Sequence, residues 1–304
     1  MASTTDSIAT PPAAGAPALN EAAFVRDGRR EKRQILGLSV PALIVVTGLL
    51  LVPVGWLFAL AFVSGGESSL VNFQRMIDYP AYAAIFRTTF EVSVAVTVLC
   101  ILLGYPVAYL LAQLPPRLAT VGLAFVVIPF WTSLLVRTYA WLVLLQRRGV
   151  INDALISAGL IDEPLRLVHN FTGTMIGMVH IMLPFLVLPL YATLRTIDGD
   201  LIRAATSCGA SPIQAFFRVF LPLSMPGLIA GTLLVFILSL GFYVTPAILG
   251  GGRVTMVSMK IQQNVSVYFD WGSGSALGLV LLLAVFAIFY AVHRFAGLDR
   301  IFRG

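Results

Sequence analysis

Long apolar runs dominate this chain, at about 35–63, 88–114, 118–145, 171–196, 220–249 and 275–295, with polar stretches between them. Roughly 20 apolar residues let an α-helix cross the ~30 Å hydrocarbon core of a bilayer. The pattern predicts an all-α integral membrane protein with six transmembrane helices. The first run is too long for a signal-peptide core, and no small-residue cleavage site stands out, so it reads as a retained helix. Residues 1–23 are rich in Ala, Pro, Ser and Thr and lack apolar periodicity, a composition that resists packing. With Arg26, Arg29, Arg30, Lys32 and Arg33 they form a basic N-terminus, expected to be disordered over 1–34.

An even number of spans puts both termini on one side. That side holds the N-terminal basic residues, Arg117, Arg195, Arg203, Arg218, Arg294, Arg300 and Arg303. Fewer lie opposite: Arg75, Arg87, Arg147, Arg148, Arg166, Arg253 and Lys260. The excess of Lys and Arg marks the cytoplasmic side, so both termini and the tail 296–304 are expected there.

The stretch 201–228 is of another kind. It is too polar for a span and too regular for a plain loop. Asp200 suits a helix N-cap, and Gly209 suits the left-handed C-cap position after Cys208. Ser211 and Pro212 then fit the N-cap and first position of a second helix. Gln214 stands three residues after Ser211, which completes a capping box. Two short helices joined at a glycine are predicted, leading into Val219-Phe220-Leu221-Pro222 and the fifth span.

These residues carry a resemblance. Ala204-Ala205, three residues, Gly209, nine residues and Val219-Phe220-Leu221-Pro222 match the spacing of the EAA motif of ABC importer permeases. The resemblance implies the type I importer permease fold, with a permease domain over 88–295. It also implies a cytoplasmic coupling helix, in a loop at about 198–218, that docks on an ATP-hydrolysing subunit. Arg203, Ala204, Ala205, Gly209, Leu221 and Pro222 are the ATPase-coupling candidates. Arg203 departs from the motif's Glu and opposes the helix dipole, so a pair with Asp198, Asp200 or the partner is expected.

Finer similarity lies in Phe130-Trp131-Thr132-Ser133, Arg137-Thr138-Tyr139-Ala140-Trp141, Leu183-Pro184-Phe185, Leu188-Pro189-Leu190-Tyr191 and Tyr243–Gly251. These stretches resemble the spermidine/putrescine branch; systems for opines, phosphonates and other organic solutes look much alike. The implied partners are a dimer of ATP-binding subunits carrying ATP and Mg, a second permease in a heterodimer, and a periplasmic or extracellular solute-binding protein. The implied setting is the lipid of a bacterial inner membrane.

Composition supports the membrane reading. The chain is 58% hydrophobic and 11% charged, against about 25% charged in soluble domains. Its net charge of +6 sits at span ends, not in an aromatic-interleaved patch, which argues against a nucleic-acid partner. Cys100 in a span and Cys208 in the polar loop do not suggest a disulfide framework. No P-loop, GxSxG or HExxH pattern occurs. His169, His180 and His293 are scattered. No catalysis, metal or cofactor of the chain's own is expected.

Intramembrane charge is expensive and marks a functional hypothesis. Glu91 lies near the outer end of the second span and Arg137 in the outer half of the third. One or both are candidates to flank the substrate path, with Glu91 a contact for a cationic amine; the alternatives are a structural ion pair between them at similar depth, or Glu91 reaching the outer interface. Trp131, Tyr139, Trp141 and Tyr243 are further path candidates, since aromatic faces attract ammonium groups; helix packing or an interfacial belt is the alternative. Asp270 and Trp271, in an outer loop, are candidate contacts for the binding protein. Gly104-Tyr105-Pro106, Pro184 and Pro189 mark potential kinks. A channel or secondary transporter independent of ATP is the competing reading, for which Glu91 and Arg137 would supply ion coupling.

Overall fold

The computed structural model describes residues 21–64 and 67–296. The composition-based expectations for 1–20 and 297–304, and for the side chain of His293, lie outside the described residues. The chain divides into two compact units, Met1–Trp56 and Leu57–Gly304. The first is described from the start of α1 (Glu21–Leu60), a helix with Pro41 and Pro53 inside it. Its start corrects the disorder expected through residue 34: Ala, Glu, Arg and Lys, which favour helix, make up most of the segment despite Gly28.

The second unit is also helical. A two-residue antiparallel ladder, Val63–Ser64 with Glu67–Ser68, precedes α2 (Val71–Asp78) and α3 (Pro80–Gln113). Then come α4 (Pro116–Val127), α5 (Leu134–Leu144), α6 (Val150–Ser157) and α7 (Phe171–Leu194). After them run α8 (Gly199–Ser207), α9 (Pro212–Ala215), α10 (Leu221–Leu240), α11 (Val244–Leu249), α12 (Val257–Ser266) and α13 (Trp271–Ala296).

Among the described residues, five helices are long and apolar enough to cross a membrane. The run expected as one span at 118–145 is broken. It comprises α4, a 3₁₀ turn at Ile128–Trp131 and α5, with a bend of 97°. Pro129 lacks an amide donor, and Thr132 and Ser133 take extended backbone. The run 220–249 also divides, at Gly241, into α10 and α11. All three expected outer loops contain helices, α2, α6 and α12.

The core lies where α3, α7 and α10 meet. Val92, Val96 and Cys100 of α3 pack with Met178, Met182 and Leu186 of α7 and Val235 of α10. A second cluster, toward the C-terminal end of α7, joins Ala108 and Leu111 to Val187, Leu190, Leu194 and Phe220. Backbone proximity depends on Gly227 and Gly231, spaced as GxxxG. A Cβ on Gly227 would lie 2.9 Å from the Pro189 carbonyl oxygen, and one on Gly231 3.0 Å from that of Leu186. Within lipid such close contact, rather than water exclusion, holds helices together.

Polar ties fix the smaller elements. Buried Asn72 donates to the carbonyls of Ala61 and Val63 and accepts from Ser273, joining α2 to α13. Thr89 accepts from the Val257 amide at 2.9 Å, which satisfies a free donor at the start of α12. Thr138 and Thr245 meet at 3.3 Å between α5 and α11.

Candidate functional site

The predicted helix pair exists between α7 and α10. Its N-cap is Asp198, not Asp200: Asp198 accepts the Asp200 amide at 2.9 Å. Asp200 is left free to pair with Arg203, one turn along α8. Thus the residue replacing the motif's Glu is neutralised within its own helix. Gly209 has φ +86. Around it the Ala210 amide reaches the Ala205 carbonyl and the Gly209 amide reaches that of Thr206, the double bond pattern of a Schellman cap. Ser211 and Gln214 form the expected reciprocal capping box.

The second short helix enters the span without a gap. Residues Phe216–Phe220 form a π turn, in which the Leu221 amide reaches back to the Phe216 carbonyl. Pro222 explains the widening: it has no amide to offer Arg218, and its ring would crowd that carbonyl in a regular α-helix. The turn is packed by aromatics. The Tyr109 ring lies edge-on to Phe216 and Phe220, at 5.8 and 5.1 Å between centroids, and Tyr105 lies edge-on to Phe216. The Tyr105 hydroxyl meets Ser224 Oγ at 3.0 Å, tying α3 to α10.

A pocket of about 460 Å³ lies beside this joint, lined by Tyr109, Leu194, Ile197, Ile202 and Phe216 among others. Leu201, Ile213 and Phe217 face outward as exposed large apolar side chains, Ile213 at 71%. The result is a capped lever with three large apolar side chains on its exposed surface, joined through aromatic packing to α3 and through the π turn to α10.

The substrate-path candidates are less unified. Glu91 does not pair with Arg137. It accepts from Arg87 at 2.7 Å, one turn away on α3. Arg137 instead lies over the Phe130 ring, 5.7 Å from its centroid, and its Nε and Nη1 are buried without a hydrogen-bond partner among the described residues. Trp131 is 88% exposed at the break between α4 and α5, and Tyr139 is also exposed. Trp141 donates to His180 Nδ1 at 3.1 Å, beside a largely apolar groove of about 570 Å³ with Leu99, Leu103 and Met175. Tyr243 borders a different pocket, with Met259 and Gln263. The role of His180 was not legible from its isolated position in an apolar run.

Asp270 precedes α13 and accepts the Ser273 amide at 3.0 Å and its hydroxyl at 2.7 Å. Arg75 lies 3.7 Å away. Partial burial pushes the Asp270 carboxyl up, but the two Ser273 bonds and Arg75 outweigh it and hold it below its usual value. Trp271 beside it is half-exposed.

The family model described as "Binding-protein-dependent transport system inner membrane component" matches residues 101–297. The spermidine/putrescine transport system permease protein PotB of Haemophilus influenzae is 36% identical over 224 residues, covering 73% of this chain and 78% of the relative. PotB of Escherichia coli is 35% identical over 217 residues, covering 71% and 78%. Among solved structures, a bacterial ABC transporter involved in import of the acidic polysaccharide alginate aligns with a TM-score of 0.65 at 17% identity. That alignment covers 90% of this chain and 99% of the other, a likeness of fold.

Proposed function

The chain belongs to the family of binding-protein-dependent transport system inner membrane components, and from that premise we propose that it is one half of the translocation path of an ATP-driven importer for a polyamine such as spermidine or putrescine. The observation that carries the coupling role is the lever α8–α9: two capped helices, exposed Leu201, Ile213 and Phe217, an aromatic joint to α3 and a continuous π turn into α10. It lies on the cytoplasmic side, as do both termini. A dimer of ATPase subunits, which holds the ATP and Mg, closes and displaces the lever. The π turn passes that movement to α10, and the Tyr105–Ser224 bond passes it to α3. Access to the path then alternates between the two sides of the membrane.

A second, unlike permease completes the path, and a soluble binding protein delivers the solute. The polyamine assignment draws on the PotB relatives. Within this chain, Trp131 and Tyr139 offer the exposed aromatic faces that alkylammonium groups favour. Glu91 is already neutralised by Arg87.

Affinity purification of tagged chain from native membranes in mild detergent tests the proposal. The expected result is co-purification of an ATPase and a second permease, with ATP hydrolysis stimulated by polyamine-loaded binding protein. A preparation without ATPase that still transports under an ion gradient would contradict it.

A further inference from the structure

The opposite end of α7 from the lever carries a concentration of positive charge. Arg147, Arg166, His169, Asn170, Gly251 and Arg253 border an open pocket of about 380 Å³. Asp153, Asp162 and Glu163 belong to the same loop, but none forms an ion pair with these arginines among the described residues and none lines the pocket. Three guanidinium groups therefore border one concavity without a carboxylate partner.

Their backbone is held in place. Fully buried Asn152 donates to the carbonyls of Gln146 and Leu165, at 3.0 and 3.1 Å, and accepts the Leu165 amide at 2.9 Å. Those residues immediately precede Arg147 and Arg166. His169 is held at φ 57, a conformation that costs a non-glycine residue energy. Gly251 lies so close that a Cβ on it would be 2.5 Å from that of His169. The turn at Gly250 that sets Arg253 closes through the Arg253 amide at 3.0 Å. Strain and buried hydrogen bonds are thus maintained where the apparent outcome is only to gather like charges, which repel. Such an arrangement suits an anionic ligand.

We infer that this pocket is the docking point for surface carboxylates of the solute-binding protein. The inference rests on the importer reading above, which puts this end of α7 on the outer face. Charge complementarity selects the occupant: guanidinium forks bind carboxylates bidentately, and exposed cations of one sign steer and orient an acidic partner. The other binding-protein candidate, Asp270, is already engaged by Ser273 and Arg75. The exposed rim makes docking reversible and salt-sensitive, as repeated delivery requires.

The test uses the whole complex in proteoliposomes, with ATP hydrolysis measured against binding-protein concentration. Arg147→Glu, Arg166→Glu and Arg253→Glu are each expected to raise the half-saturating concentration about tenfold while sparing the maximal rate. The triple Arg→Gln variant should also lose most of the wild-type salt dependence. Wild-type half-saturation and salt dependence in the triple variant would overturn the inference. So would a fall in maximal rate alone, or an effect that follows anionic phospholipid content and not binding-protein concentration. A wild-type complex that no binding protein stimulates would overturn the importer reading itself.

Discussion

The two ends of α7 carry different surfaces. At its C-terminal end the lever presents Leu201, Ile213 and Phe217, and its one charged pair, Arg203 with Asp200, is satisfied internally. At its N-terminal end three arginines border one pocket with no ion pair among the described residues. Apolar packing on a rigid, capped element transmits displacement, because packed surfaces have few alternative arrangements. Exposed charge attracts from a distance and releases easily. The difference teaches that one helix can carry a capped, partly apolar element at one end and a cationic pocket at the other, two surfaces suited to different kinds of contact.

Damage to the lever should have the largest effect. Gly209→Val places a β-branched residue at φ +86, which costs about 1–2 kcal/mol even with open space around it. Transport is expected to be lost while membrane insertion and binding-protein docking persist, as read by uptake and by co-sedimentation with the binding protein. Full transport would show that the cap does not matter.

Ser211→Ala removes one half of the capping box and should weaken the lever by about 1 kcal/mol. The expected reading is a several-fold fall in solute moved per ATP hydrolysed, with Ser211→Gly milder. Separating α3 from α10 comes next. Tyr105→Phe and Ser224→Ala, combined in a double-mutant cycle, should reveal a coupling of about 0.5–1.5 kcal/mol in the thermal stability of the complex. Simple additivity would deny the bond a role in joining the two helices.

The smallest expected effect is at Asp270. Its carboxyl is held below its ordinary value, so the stabilisation is complete above the unfolded value near 4 and is lost as pH falls through the lower folded value. The contribution is modest because both Asp270 and Arg75 are partly exposed. Thermal melts at pH 7 and pH 3 should show Asp270→Asn less sensitive to acid than wild type.

Much of the lever was legible because its signals are local. Gly209, Ser211, Pro212 and Gln214 state their geometry in their own spacing, and the structure returns it, with the first N-cap moved to Asp198. Spans were legible as composition but not as direction. α7 runs unbroken through Pro184 and Pro189, packed on most sides by α3 and α10. A run of similar apolarity breaks by 97° after Pro129, where Trp131 is exposed and Thr132 leaves the helical conformation. The Glu91–Arg137 expectation failed for a related reason: depth along a span says nothing of rotation, and Arg87 was one helical turn away. The GxxxG contact of α10, the Trp141–His180 pair and the arginine pocket depend on neighbours distant in sequence. α12 went unseen because a search for long apolar runs passes over a short amphipathic helix.

The lever's contact with an ATPase is the central claim, and Cys208 gives direct access to it. It is exposed at the end of α8, whereas Cys100 is buried in the core. Native membranes treated with a thiol-directed photo-cross-linker should yield an adduct between this chain and an ATP-hydrolysing subunit. The adduct should change in yield with nucleotide and vanish in Cys208→Ala. Efficient labelling of Cys208 without any ATPase adduct, in membranes that still take up solute, would contradict the account.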